Sequence, residues 1–235
     1  TKEADQILTL LTAEHGKIPV IARGVKRKGC RYAAAAGLLA YSDWSLYHRG
    51  DWYYANEAET RELFSGLGKD FSRLSLGCYF AELTEALTAE GEESGELLRH
   101  LLNGLYAIEN FRRPPELLRA AFELRAMSLA GYEPLLEGCA FCGKEQPEEP
   151  VLDLGSGVLR CRRCGSGGAG MPLDADALAA ARHVLYGDPK RLYGFTLGEE
   201  PLRRLSAAAE AFTLAQLERG FRTLDYYKSL RGMGG

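Results

Sequence analysis

Cys139, Cys142, Cys161 and Cys164 form two Cys-x2-Cys pairs with eighteen residues between them. Two intervening residues let one tight turn deliver both sulfurs of a pair to a single ion, and four thiolates meet the tetrahedral preference of zinc. The chemistry this implies is structural. Four cysteines close the coordination sphere and leave no open position for a water nucleophile, so one zinc ion here would fold a small module. Gly143 and Gly165 each follow a pair, and glycine adopts the positive φ that such a turn requires. A redox pair reads differently, because it comes alone after a strand and would leave the second pair unexplained. Lys144, Arg160, Arg162 and Arg163 lie near enough in sequence to offset the charge of about −2 on an ion with four thiolates.

A second constellation is basic. From His15 to Ser42 there are six cations (Lys17, Arg23, Lys26, Arg27, Lys28 and Arg31) and no Asp or Glu. Such a segment can neutralise successive phosphates and release counterions, giving sequence-independent affinity for nucleic acid. The plainer reading is a solvated surface loop. Tyr32, Tyr41, Trp44, Trp52, Tyr53 and Tyr54 lie nearby and could stack bases. Most of them fall inside expected strands, which favours packing in a core.

Other chemistry is missing. His15, His48, His100 and His183 are dispersed, and no nucleophile-elbow, Walker or dinucleotide-binding glycine pattern occurs. Glu90 to Glu96 suggests paired carboxylates for two-metal nuclease work, but its Gly and Ser make a solvated linker the better reading. No catalytic residues are assigned, and the expectation is a protein that is not an enzyme.

The 235 residues carry a net charge of −3, which argues against a surface that coats nucleic acid throughout. Charge is instead segregated: residues 82 to 96 hold six glutamates and no Lys or Arg. Cys30 and Cys78 are isolated, so the six cysteines do not form a disulfide framework, and a reducing cytoplasm is expected. No run of eighteen apolar residues marks a membrane span, so no membrane partner is expected. Thr1 stands where an initiator Met would, which suggests that the natural chain starts earlier.

The elements that must position these groups change character along the chain. Gln6–Thr12, Lys17–Ala22, Trp44–His48 and Trp52–Ala55 read as short strands, the last two joined by a turn at Arg49-Gly50-Asp51. This spacing suggests a small antiparallel barrel or sandwich, with Pro19 marking an edge strand or bulge. Helical periodicity follows from Phe71 to Leu87 and from Leu97 to Ile108, and Pro114-Pro115 opens a helix that Gly131 closes. After the cysteine region, Val151–Leu154 and Val158–Arg160 could form a β excursion. Helices resume over Asp174–Tyr186 and one long stretch from Pro201 to about Leu230.

The order of these features resembles the RecO family of bacterial recombination mediators. The resemblance is carried by Asp5–Thr12, Gly16-Lys17 with Ala22–Arg27, and Trp52–Glu59. It continues through Phe122–Arg125 leading to Gly131–Pro134, the cysteine pairs, and Phe221–Tyr226. It implies an α+β multidomain fold: an N-terminal OB-fold barrel over residues 1–68, an α-helical domain over 69–137 and 171–235, and a zinc module over 138–170. Because family members have a strand before the segment that starts here, the barrel is expected to lack its first strand and expose an edge. The resemblance also implies binding of single- and double-stranded DNA, annealing of complementary strands, and help in loading RecA onto DNA coated by single-stranded-DNA-binding protein. Partners would be RecR and the C-terminal tail of that binding protein, in the bacterial cytoplasm and at the nucleoid during repair. Lys17, Arg23, Lys26 and Arg27 match the family's basic positions, and Lys28 and Arg31 extend the same loop. Arg125, Arg203 and Arg204 are candidate cations for the tail's carboxylate. The alternative is a zinc-stabilised interaction scaffold with incidental DNA contact.

Overall fold

Two short apolar runs build the first hairpin: β1 (Gln6–Thr12) pairs antiparallel with β2 (Gly16–Ala22), whose burial alternates so that Ile18, Val20 and Ala22 point inward. The structure, a computed structural model, describes residues 3–164 and 169–232. It separates into two units, Thr1–Glu109 with Arg222–Gly235, and Asn110–Phe221.

In the first unit, β3 (Tyr41–Arg49) and β4 (Trp52–Glu62) form a second hairpin whose turn uses Gly50 at φ +62°. The four strands make one OB-like sheet in the order β1-β2-β4-β3. The sequence places Pro19 on an edge strand or bulge, yet β2 is internal. The resolution is local: β2 meets β4 only at Val20↔Tyr53 and Ile21↔Tyr54, so Pro19 lies before that pairing and costs it no N–H donor.

Among the described residues three α-helices complete this unit. The carboxylate of Asp70 caps α1 (Phe71–Leu87) by accepting from the N–H groups of Ser72 and Arg73 at 2.8 and 3.3 Å. α2 (Gly95–Asn110) turns Leu97, Leu101, Leu105 and Ile108 inward. α6 (Arg222–Gly232) lies on α1, where Glu82 accepts from the Thr223 N–H at 3.0 Å. The acidic segment between α1 and α2 is more than a solvated linker. Its glutamates are exposed, but its backbone straps the β1–β2 turn: Gly91 donates to the His15 carbonyl at 2.9 Å and Ser94 to that of Ala13 at 2.8 Å. Gly16 makes the strap possible, since a Cβ there would stand 1.9 Å from the Ala89 carbonyl oxygen.

In the second unit, α3 (Pro115–Leu129) is buried on every side from Leu117 to Leu124 and packs against α4 (Ala175–Tyr186) and α5 (Glu199–Leu217). Its Arg119 is buried and reaches Glu123 at 2.7 Å, Glu210 at 2.9 Å and the Ser206 hydroxyl at 2.7 Å. The long C-terminal stretch expected as one helix is two. Glu218 sits in the left-handed region at φ +49°, which ends α5, and α6 starts only at Arg222.

Candidate metal centre and nucleic-acid interface

The β excursion between the cysteine pairs supplies β5 (Pro150–Asp153) and β6 (Leu159–Cys161), which join β7 (Gly170–Pro172), beyond the second pair, in a small antiparallel sheet of order β6-β5-β7. Asp153 makes the turn: one carboxylate oxygen accepts from the N–H groups of Gly155 (3.1 Å) and Ser156 (2.8 Å) and from the Ser156 hydroxyl. Those bonds, together with Arg160, hold its carboxyl below the usual aspartate range. Cys161 therefore arrives on a strand, directly opposite Pro150.

Cys139 arrives on a tight loop stitched to the same strand. Its N–H donates to the Lys144 carbonyl and the Gly143 N–H returns to its own carbonyl, at 2.9 and 2.8 Å, while Ala140 donates to Leu159 at 2.9 Å. Gly143 takes φ +70°, as the spacing requires. Gly165 lies outside the described residues. The four sulfurs gather within 4.8 Å of one another, with Cys142 and Cys161 at 4.0 Å. A tetrahedral ion with metal–sulfur bonds of about 2.3 Å needs sulfurs about 3.8 Å apart, so a small contraction completes the site. Burial pushes the Cys139 thiol up, but the N–H groups of Cys161, Phe141 and Cys142 outweigh it and bring it down to about 6, while hydrogen bonds to Cys161 and Cys142 push the Cys164 thiol up. The donor set and geometry are compatible with a structural metal ion. Among the described residues no other group of His, Cys, Asp or Glu side chains is placed to hold one.

Three of the cations expected to offset thiolate charge have carboxylate partners: Lys144 with Glu148, Arg160 with Asp153 and Arg162 with Glu149. Two other side chains hold the site, and sequence reasoning missed both. Arg182 of α4 donates to the carbonyls of Leu136, Glu137 and Glu145 at 2.8, 2.9 and 2.6 Å, gripping both flanks of the first cysteine pair. One turn later the Tyr186 hydroxyl donates to the Pro134 carbonyl at 3.2 Å and accepts from the Leu136 N–H at 3.0 Å. The i, i+4 spacing of Arg182 and Tyr186 on α4 was the available signal, but it does not say which backbone they meet.

The basic segment, which has no regular secondary structure from Arg23 to Ala40, is nonetheless anchored. The Asp5 carboxylate accepts from the Gly24 N–H at 2.8 Å, the Lys26 backbone N–H donates to the Ala4 carbonyl at 3.1 Å, and buried Val25 packs with Leu8 and Ala22. Arg23, Lys26, Arg27, Lys28 and Arg31 are all exposed, and among the described residues none pairs with a carboxylate. Lys17 differs: it is half-buried, and its Nζ donates to the Glu85 carbonyl at 3.0 Å. The aromatics expected in the core mostly are not there. No residue of β3 or β4 is fully buried, and Tyr41, Tyr47 and Trp52 are 38%, 43% and 42% exposed. Trp44 alone of the β3–β4 aromatics packs against the Leu8–Ala22–Val25 cluster.

The three cations considered for a peptide carboxylate are engaged elsewhere. Arg125 donates to the Leu185 carbonyl at 3.0 Å, while Arg203 and Arg204 share Glu200, holding that carboxyl at about 2.

Residues 1–64 match the family Recombination protein O N terminal, and residues 68–225 match Recombination protein O C terminal. The chain is similar to the DNA repair protein RecO of Symbiobacterium thermophilum, 32% identical over 98% of this chain and 92% of that protein. It is similar also to those of Acetivibrio thermocellus (26% identical; 98% and 92% covered) and Heliobacterium modesticaldum (32%; 97% and 85%).

Proposed function

The chain belongs to the RecO family, and on that premise we propose that it is a DNA-binding recombination mediator that works through noncovalent contacts and has no catalytic site. In this reading it anneals complementary strands and helps RecA load onto DNA coated by single-stranded-DNA-binding protein. The partners are single- and double-stranded DNA, RecR and the C-terminal tail of that binding protein, and the protein acts in the bacterial cytoplasm at the nucleoid. No helix among the described residues is long and apolar enough to cross a membrane.

The observation that carries this reading is the set of five exposed cations without carboxylate partners on an anchored loop beside an open sheet. Arg23, Lys26, Arg27, Lys28 and Arg31 are the proposed phosphate contacts. Lys17 belongs to the same set through the family, although its ammonium holds the end of α1. Residues 1–68 would supply the DNA-binding barrel, 69–137 and 171–235 the helical domain, and 138–170 the zinc module.

Zinc is the ion the four thiolates suit: soft donors in a tetrahedral arrangement select it, and its role is to cross-link the loop of Cys139 and Cys142 to the strand and turn of Cys161 and Cys164. The test is a titration of labelled single-stranded DNA across salt concentrations. Replacing Lys26, Arg27 and Lys28 by Ala should weaken binding and reduce the salt slope by about 2, since each phosphate contact on a single strand contributes about 0.7. An unchanged slope would remove the loop from the interface.

A further inference from the structure

The tip of the β3–β4 hairpin carries aromatic surface that the fold does not use. Tyr47 and Tyr54 are cross-strand partners whose rings stack at 5.3 Å and 17°. Arg49 and Trp52 are the next partners on the same face, by the two-residue alternation of a strand. The guanidinium of Arg23, at the start of the basic loop, lies over the Tyr54 ring at 4.6 Å. A row of planar groups therefore runs from the loop to the outer strand. The core lies on the opposite face, where Trp44 and Ala55 pack on the Leu8 cluster.

We propose that this tip, with Tyr47 and Trp52 as its rings and Tyr54 backing Tyr47, is a stacking platform for the unpaired bases of single-stranded DNA. The proposal rests on the DNA-binding reading and adds to it the chemistry that tells a single strand from a duplex. Aromatic faces accept any base, so stacking adds affinity without sequence preference, while the cations of the loop take the phosphates. A duplex hides its base faces and gains only the second contribution.

Charge confines the platform to the tip. Further along the hairpin, Glu57 stands opposite Ser45 and Glu59 opposite Asp43, and Arg61 is already paired with Asp43 and Glu59. A strand leaving the loop is thus favoured across Arg49, Trp52 and Tyr54 and repelled from the far half. The competing explanation is that the rings only steady an exposed hairpin, as cross-strand aromatic pairs do.

The experiment compares binding of oligothymidine, an abasic oligomer of equal length and a duplex to the wild-type chain and to Tyr47→Ala, Trp52→Ala and Tyr47→Phe. The proposal expects each alanine variant to lose about tenfold in affinity for oligothymidine, with the abasic oligomer and duplex unchanged and Tyr47→Phe close to wild type. Tyr47→Phe keeps the ring, so its retention shows that a loss in Tyr47→Ala is one of stacking. Equal losses on oligothymidine and the abasic oligomer, or no loss on either, would overturn the platform. In that case the Lys26, Arg27, Lys28 alanine variant still decides the loop's role. A wild-type chain that binds none of the three ligands would refute the DNA-binding reading and the platform with it.

Discussion

Replacing Arg182 by Ala removes the clamp that holds the first cysteine pair to α4. Three carbonyls lose their donor, but only the bond to Leu136 is partly buried; those to Glu137 and Glu145 are exposed. A hydrogen bond from a charged donor contributes roughly 1.5–3 kcal/mol when shielded and much less in water, so the sum is about 2–3 kcal/mol. In the proposed zinc module the cysteine loop would be ordered together with its ion, so that energy would pass into metal affinity. At about 1.4 kcal/mol per tenfold, the expected loss is roughly thirtyfold to a hundredfold, within the range that removal of outer-shell partners of metal sites produces. The assay is competition for zinc against a chromophoric chelator on the intact protein, with denaturant unfolding of the zinc-loaded protein beside it. Arg182→Lys keeps the charge but cannot span three carbonyls, and should fall between wild type and Ala. A zinc affinity within about twofold of wild type in Arg182→Ala would refute the coupling, whatever happened to stability.

Two further predictions concern the framework. Arg119→Met strips the buried Glu123 of its arginine and should cost about 3–5 kcal/mol in urea unfolding, whereas the double variant with Glu123→Met should recover most of that loss; a single variant as stable as wild type would contradict it. Gly16→Ala combines a left-handed backbone, worth about 1–2 kcal/mol for an L residue, with a methyl group driven into the Ala89 carbonyl. It should destabilise the first unit by more than about 2 kcal/mol, and a loss below about 0.5 kcal/mol would show that the strap yields freely.

The parts of the fold that are local in physics are legible in the sequence. β1 and β2 follow from two short apolar runs, α3 from Pro115 and Gly131, and the clustering of four sulfurs from two cysteine pairs that each close within a turn. What escaped was decided by neighbours distant in sequence. Pro19 is tolerated in an internal strand only because β4 begins where it does. β4 runs on to Glu62 through Asn56-Glu57-Ala58-Glu59, a stretch too polar to read as a strand, and is held by pairing with β3. The aromatics were expected in the core because they lie in strands, but a hairpin open to water on one face needs no burial there. Glu218 breaks the C-terminal helix with a backbone conformation that its side chain does not announce. Arg182 reaches carbonyls 37 to 46 positions away, beyond any local pattern.

The proposed role of this RecO-family chain is to bring DNA strands together through a basic loop on an OB-like sheet. It is tested most directly by the annealing rate of complementary oligonucleotides, each coated with single-stranded-DNA-binding protein, with the wild-type chain and with the Lys26, Arg27, Lys28 alanine variant. Acceleration by the wild type that the folded, zinc-loaded variant loses is the predicted result. A folded, zinc-loaded wild-type protein that leaves the rate unchanged would contradict the account and favour a zinc-stabilised scaffold that contacts DNA only incidentally.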